Sequence, residues 1–242
     1  MILFFLVIIM AKLEIKGLQK MSVIDYPGKV AAVVFTGGCN FRCPFCQNPE
    51  LVLEPEKQPS IAEGEFFGFL EERRKWIDGV CITGGEPTIW PGLPDFIKKI
   101  KSMGFFVKLD TNGSNPEMLE VLLKENLLDY ISMDIKAPPE KYEAAAGVKV
   151  EMEKIKKSAE LIRNSGVEYE FRSTILPKIH AKEDLLKIGN WLEGSRKFSI
   201  QQFRNEKTID PAFQREKTFS REELEGFREM LKPYFDEVEV RA

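Results

Sequence analysis

Three cysteines fall within eight residues: Cys39, Cys43 and Cys46, in the string CNFRCPFC. The C-x3-C-x2-C spacing lets one short loop wrap three thiolates around a single iron–sulfur cluster. A cubane 4Fe–4S cluster has four irons, so three thiolates leave one iron open to another ligand. A closed structural zinc site normally takes four protein ligands. The only further soft donors are Cys81 and His180, both distant in sequence. A disulfide arrangement fits four cysteines in number, but three so close together strain against useful loop closure. Chance clustering in a reduced protein is the remaining alternative.

The chain has 242 residues, 43% of them hydrophobic. That supports one domain of α/β-barrel type, or at most two small ones. The net charge of −3 is spread over interspersed acids and bases. Bulk nucleic-acid binding would need a basic patch, so none is expected. Sparse, locally clustered cysteine suits a reducing cytosol, and a cytoplasmic location is expected. Residues 1–10 (MILFFLVIIM) are too few to span a bilayer as a helix. They lack the positive n-region and cleavage site of a secretory signal. They fit a start at Met10 with residues 1–9 an artefact of start-site choice, an extra strand, or a membrane-surface anchor. The first is favoured, because MAKLEIKG reads as an ordinary N-terminus.

From residue 30 onward strand and helix signals alternate. Val30–Phe35 is a continuous apolar run, as in a strand buried on both faces. Further strands are expected at Gly79–Thr83, Phe106–Asp110, Tyr130–Asp134, Tyr169–Ile175 and Lys197–Phe203. Helices are expected at Ile61–Lys75, opened by Ser60-x-x-Glu63, at Leu93–Met103, and from Ser114-x-x-Glu117 with Pro116. Others are expected at Glu151–Ser165 before Gly166, at Ala181–Leu192, and after Ser220-x-x-Glu223 to about Lys232. Residues 204–219 lack periodicity and read as a loop. Six strands interleaved with helices imply a parallel sheet with right-handed crossovers. A full eight-unit barrel typically takes about 250 residues, so the expectation is a single-domain α/β fold, a partial (β/α)6 TIM-like barrel. An open doubly wound sheet is the alternative. In such folds ligands bind at the carboxyl ends of the strands. The cysteine loop, Gly84-Gly85-Glu86-Pro87, Asp110-Thr111-Asn112-Gly113, Asp134 with Lys136, and Arg172 all belong on that rim.

FTGGCNFRCPFCQNPELV, CITGGEPTIW and KLDTNGS together resemble three successive motifs of the radical S-adenosylmethionine (radical SAM) enzymes. Within that superfamily, MSVIDYPGKVAAVVF and the span to about Asp134 resemble the activating proteins of anaerobic ribonucleoside-triphosphate reductase, one branch of the glycyl-radical-enzyme activases. The resemblance covers about residues 18–205. Residues 1–17 are taken as an apolar extension and leading segment, and 18–242 as the radical SAM domain.

The resemblance implies a cluster on Cys39, Cys43 and Cys46 whose open iron chelates SAM. It implies that Gly84, Gly85 and Glu86 lie against the methionine moiety and that Phe45 packs near adenine. Asp110, Thr111, Asn112 and Asp134, with the backbone of Ser132, would hold the SAM carboxylate, partly through a bound monovalent cation. Lys136 matches a position near the ribose or carboxylate, and Arg172 one near the carboxylate. No catalytic side chain is implied beyond the cluster-bound SAM. The implied partners are anaerobic ribonucleoside-triphosphate reductase, bearing the target glycine, and flavodoxin or ferredoxin as electron donor, with no nucleic acid and no membrane. Pyruvate formate-lyase or a small-molecule substrate is the alternative within the superfamily, and a non-catalytic metal-stabilised module the alternative outside it. Two positions depart from the pattern. Gln47 stands where relatives often have His, and IQQFRN replaces an expected His near the sixth strand, with Gln202 as the substitute. Cys81 is expected in inert core and His180 on the surface.

Overall fold

The computed structural model describes residues 12–242. The readings of residues 1–10 therefore lie outside the described residues. Eight strands form one sheet in sequence order: β1 (Ile15–Ser22), β2 (Ala31–Thr36), β3 (Gly79–Gly84), β4 (Phe106–Thr111), β5 (Tyr130–Asp134), β6 (Glu168–Ile175), β7 (Ser195–Gln202) and β8 (Phe235–Arg241). β1 runs antiparallel to β2, and every later pairing is parallel. No pairing joins β1 to β8, so the barrel is partial and open at one side. The six expected strands are β2–β7, and the sheet is extended by one strand at each edge. β1 begins at Ile15, ahead of residue 18.

The helices are α1 (Pro49–Leu53), α2 (Glu63–Arg73), α3 (Leu93–Ser102), α4 (Pro116–Lys124), α5 (Tyr142–Ala146), α6 (Met152–Arg163), α7 (Lys182–Trp191) and α8 (Arg221–Leu231). Two expected caps differ. Ser60 does not cap α2; its Oγ accepts from Lys16 Nζ at 2.8 Å, and the helix starts at Glu63 behind Ala62. α4 is capped by Asn115 rather than Ser114, since Asn115 Oδ1 accepts from the Met118 N–H at 3.2 Å. The Ser220–Glu223 capping box of α8 forms in both directions. No helix among the described residues is long and apolar enough to cross a membrane.

Residues paired across parallel strands point to the same face. On the outer face Val80, Ile82, Val107, Leu109, Ile131, Met133, Phe171 and Phe198 are fully buried. α3, for one, turns Leu93, Phe96, Ile97 and Ile100 inward to the core. The inner face is polar along its registers. Cys81 pairs with Lys108, Asp110 with Ser132, Ser132 with Glu170, and Asp134 with Arg172. The lumen is thus lined by groups that need partners, and each finds one. No buried side-chain nitrogen or oxygen among the described residues lacks a hydrogen bond.

Glu170 fixes the far wall. It is 0% exposed and accepts from Ser132 Oγ and Ser199 Oγ, both at 2.7 Å. Arg241 Nη1 and Nη2 donate to its two oxygens at 3.0 and 2.7 Å, tying β8 to β6. Burial alone would raise this carboxyl, but Arg241 and the two hydroxyls outweigh it and hold it down to about 2. The folded value lies below the unfolded one of about 4.3. The stabilisation is therefore complete above about pH 4.3 and is lost as pH falls toward about 2. Arg241→Ala should cost about 2–3 kcal/mol near neutral pH, the low end for a broken buried pair because Arg241 is 28% exposed. Urea unfolding near neutrality and near pH ~3 checks this. An equal deficit at both pH values would refute the assignment.

Candidate active site

The cysteine loop leaves β2 at the carboxyl rim and is held at three points. The Gly38 N–H donates to Leu51 O at 2.8 Å, the Arg42 N–H to Ala146 O at 2.8 Å, and the Cys46 N–H to Cys43 O at 2.9 Å. Glycines permit the close approaches on which this depends. A Cβ on Gly147 would sit 2.1 Å from Arg42 O, and one on Gly85 would sit 1.8 Å from Gly38 O. Gly84 has φ +111°, and the Glu86 N–H donates to Gly38 O at 2.8 Å. The GGEP turn after β3 and the cysteine loop after β2 are therefore in direct backbone contact.

Between them lies a cavity of about 200 Å³. Cys39, Cys43, Cys46 and Phe45 line one side. Gly84, Gly85 and Glu86 line a second, and Asp110, Thr111, Asn112, Asp134, Lys136 and Arg172 a third. Every side chain expected at the site reaches this one cavity. Thr174 and Thr83 also line it and were missed. Strand alternation could have found Thr174, which lies two residues beyond Arg172 on the same face of β6.

Glu86 does not offer a free carboxylate. Its Oε1 accepts from the Thr88 N–H at 3.1 Å, Thr88 Oγ1 at 2.5 Å and Thr111 Oγ1 at 2.7 Å, and its Oε2 accepts from the Asn112 N–H at 2.6 Å. It clasps the turn after β3 to the turn after β4. Asn112 extends the clasp, donating from Nδ2 to Asn40 Oδ1 at 2.9 Å beside Cys39.

The third wall is a chain of buried charges. Lys108 Nζ pairs with Asp110, and Arg172 Nη2 lies 3.0 Å from Asp110 Oδ2. Arg172 Nε donates to Asp134 Oδ1, and Lys136 Nζ lies 3.0 Å from Asp134 Oδ2. The two carboxylates expected to share a monovalent cation thus share Arg172. Burial would raise the Asp134 carboxyl, but Arg172 and Lys136 hold it well below the usual range. Burial would lower Lys136, but Asp134 outweighs it and holds the ammonium charged. Of these charges, Arg172 and Lys136 line the cavity against Asp110 and Asp134, so the wall is balanced there, while Lys108 is buried beside Asp110 and outside the lining.

His180 is not on the surface. It is 1% exposed; its Nδ1 accepts from the Leu176 N–H at 3.3 Å and its Nε2 lies 2.9 Å from Lys136 O. That pattern assigns the neutral ring with the proton on Nε2. Burial lowers its pKa in keeping with this. His180 braces the backbone of Lys136 from outside the cavity. Cys81 is fully buried in β3 as expected.

The donor set fits an iron–sulfur cluster. All four cysteines are free thiols, and three face the cavity. Burial and the Glu86 charge push Cys39 up to about 12, and burial pushes Cys43 up to about 11. Binding to a metal reverses this by deprotonating the thiol outright. Among the described residues no three His, Cys, Asp or Glu side chains converge as one metal ion would require. A cubane asks instead for one thiolate per iron. Cys39 Sγ already receives the Phe41 N–H at 3.4 Å, the kind of hydrogen bond that tunes such a cluster.

The profile of the radical SAM superfamily matches residues 33–191. A Methanocaldococcus jannaschii protein, named provisionally as a glycyl-radical enzyme activating enzyme, is 33% identical over 236 residues, covering 96% of this chain and 97% of that protein. The chain belongs to the radical SAM superfamily, among its glycyl-radical-enzyme activating enzymes. The pyruvate formate-lyase-activating enzyme of Clostridium pasteurianum is 30% identical over 191 residues, covering 76% of this chain and 77% of that enzyme. In fold, the chain is similar to Streptococcus suis SuiB solved with its precursor peptide SuiA, with a TM-score of 0.68 at 14% identity. The match covers 87% of this chain but 48% of SuiB, so the chain spans about half of that structure's length. A radical SAM enzyme works with a 4Fe–4S cluster and SAM, and the cavity supplies a donor set for the one and a charged wall for the other.

Proposed function

We propose that this enzyme generates the glycyl radical of an anaerobic ribonucleoside-triphosphate reductase in a reducing cytoplasm. The carrying observation is that the three cysteines of one loop face the Asp110–Arg172–Asp134–Lys136 wall across a single cavity. When bound, the cluster and SAM supply a one-electron cleavage yielding methionine and a 5′-deoxyadenosyl radical, which takes the glycine Cα hydrogen.

The chain's own residues hold that chemistry in place. Cys39, Cys43 and Cys46 bind the cluster. Gly84 and Gly85 let backbone approach the methionine moiety, with Glu86, Thr111 and Asn112 fixing the turns that carry it. Lys136 and Arg172 bind the carboxylate, and Asp110 and Asp134 orient them. Phe45 packs near the adenine, with Phe213 behind it at a centroid distance of 6.5 Å. Among the described residues β1 and β8 are not paired with each other, so the sheet has an open side by which a polypeptide segment is proposed to enter. The choice of ribonucleotide reductase over pyruvate formate-lyase rests on the sequence from Met21 to Phe35. The cysteine inventory, three at the cavity and Cys81 buried, leaves none for the auxiliary clusters that some other activases and many peptide-modifying relatives use.

The test is an anaerobic EPR spectrum of reduced, reconstituted protein with SAM and the candidate reductase. A glycyl doublet that requires SAM and all three loop cysteines is expected. A SAM-perturbed cluster signal without a glycyl radical would move the target to another glycyl-radical protein.

A further inference from the structure

Reductive cleavage of SAM needs an electron from outside, and the proposed function leaves open where it enters. Residues 204–219, between β7 and α8, lie directly on the cysteine loop. The Asp210 N–H donates to Pro44 O at 2.9 Å. Phe213 packs on Phe45, and Lys207 pairs with Glu50 just beyond Cys46. The two glutamines that depart from the family pattern pin this segment at its ends. Gln47 Nε2 donates to Arg204 O at 2.9 Å, and Gln202 Nε2 to Phe219 O at 2.7 Å.

The charge on this cover is unlike that of the whole chain, which is net −3. Arg204, Arg215 and Lys217 are exposed and have no ion-pair partner among the described residues. Of the segment's acids, Glu216 is taken by Lys178 at 2.6 Å and Asp210 caps the Ala212 N–H at 2.9 Å. Against the three cations stand Glu206 and Asp210, neither in an ion pair among the described residues, so the unpaired charges of the segment sum to +1. This surplus positive charge lies against Pro44, between two cysteines that would hold the cluster, and favours an acidic protein approaching there.

We propose that residues 204–219 form the docking face for an acidic one-electron carrier protein. This rests on the SAM-cleaving function proposed above. One electron leaves the carrier, which is oxidised by one, and is consumed in breaking a carbon–sulfur bond of the SAM sulfonium. Methionine and the 5′-deoxyadenosyl radical are the products.

The test compares two reductants on the reconstituted full chain: dithionite, which needs no docking, and a reduced acidic ferredoxin. The double variant Arg215→Glu/Lys217→Glu should form 5′-deoxyadenosine normally with dithionite. With ferredoxin at low ionic strength its kcat/KM should fall by about tenfold, and the wild-type rate should itself fall as salt is added. An unchanged ferredoxin rate overturns the docking face. So does a variant that is reduced normally yet fails to activate the glycyl-radical protein, since that places the other partner there. Absence of dithionite-driven cleavage in the wild type would sink the underlying function instead. If charge reversal impairs dithionite turnover as well, Arg215→Gln/Lys217→Gln decides, with a ferredoxin-specific loss of about threefold expected.

Discussion

Replacing Cys43 with alanine is expected to bring 5′-deoxyadenosine formation down to background and to strip most of the iron. One of three thiolates is lost, and two cannot hold a cubane whose fourth iron has no protein ligand. The fold should survive. Cys43 is small and 6% exposed, and trimming one sulfur costs about 1 kcal/mol, against a total stability of about 5–15 kcal/mol. Cys81→Ala is the matching control. Cys81 is equally a buried thiol, but it lies in β3 with Lys108 Nζ 3.7 Å away. It should keep both iron and activity. Full SAM cleavage by the Cys43 variant would remove the cluster assignment.

The second large effect is expected at Arg172. Its guanidinium joins Asp110 to Asp134, and the three side chains are 14%, 12% and 26% exposed. Arg172→Ala leaves two nearby carboxylates with only Lys108 and Lys136 to neutralise them. Breaking a buried pair costs about 3–5 kcal/mol, and partial exposure places this case at about 3 kcal/mol, or roughly 6–12 °C in Tm for a chain of this size. SAM affinity should fall at least about tenfold, since the wall loses one of the two cations that line the cavity. Arg172→Lys restores charge but not the two-sided fork, and should recover part of the stability. The pH dependence has a defined sign. Burial works against the Asp134 charge and Arg172 overcomes it, so the folded carboxyl is depressed. Its contribution is present above the unfolded value of about 3.9 and disappears on acidification. The gap in stability between wild type and variant should therefore narrow below about pH 4. A constant gap, or an unchanged Tm, would show that Arg172 does not bear this load.

Strands β2 to β7 were legible because each carries an apolar outer face packed under helices, which the sequence records as runs such as VAAVVF. The edge strands were not. β1 is IKGLQKMS, with only its two ends fully buried, so it has no period to detect. β8 did carry a signal, Val238 and Val240 alternating with Glu237, Glu239 and Arg241, and could have been read from it. The caps failed locally: Ser60 and Ser114 have the right chemistry, but Lys16 claims one and Asn115 displaces the other by one residue. The site was legible because its residues sit at the carboxyl ends of strands in motifs of fixed spacing. What surrounds them was not. His180 lies among loop residues, and its burial depends on a carbonyl 44 positions away. The grip of Gln47 and Gln202 on residues 204–219 likewise depends on distant partners, to which local composition is blind.

The contact between Gly85 and Gly38 has a thermodynamic meaning. The loop proposed to close around the cluster and the turn proposed to meet the methionine moiety are a single mechanical part, with no side chain between them to absorb movement. If cluster assembly orders that part, SAM would bind the more tightly for it. By reciprocity SAM would then strengthen retention of the cluster by the same factor. The two cofactors would in this sense be each other's effectors, coupled through a gap that only glycine can occupy.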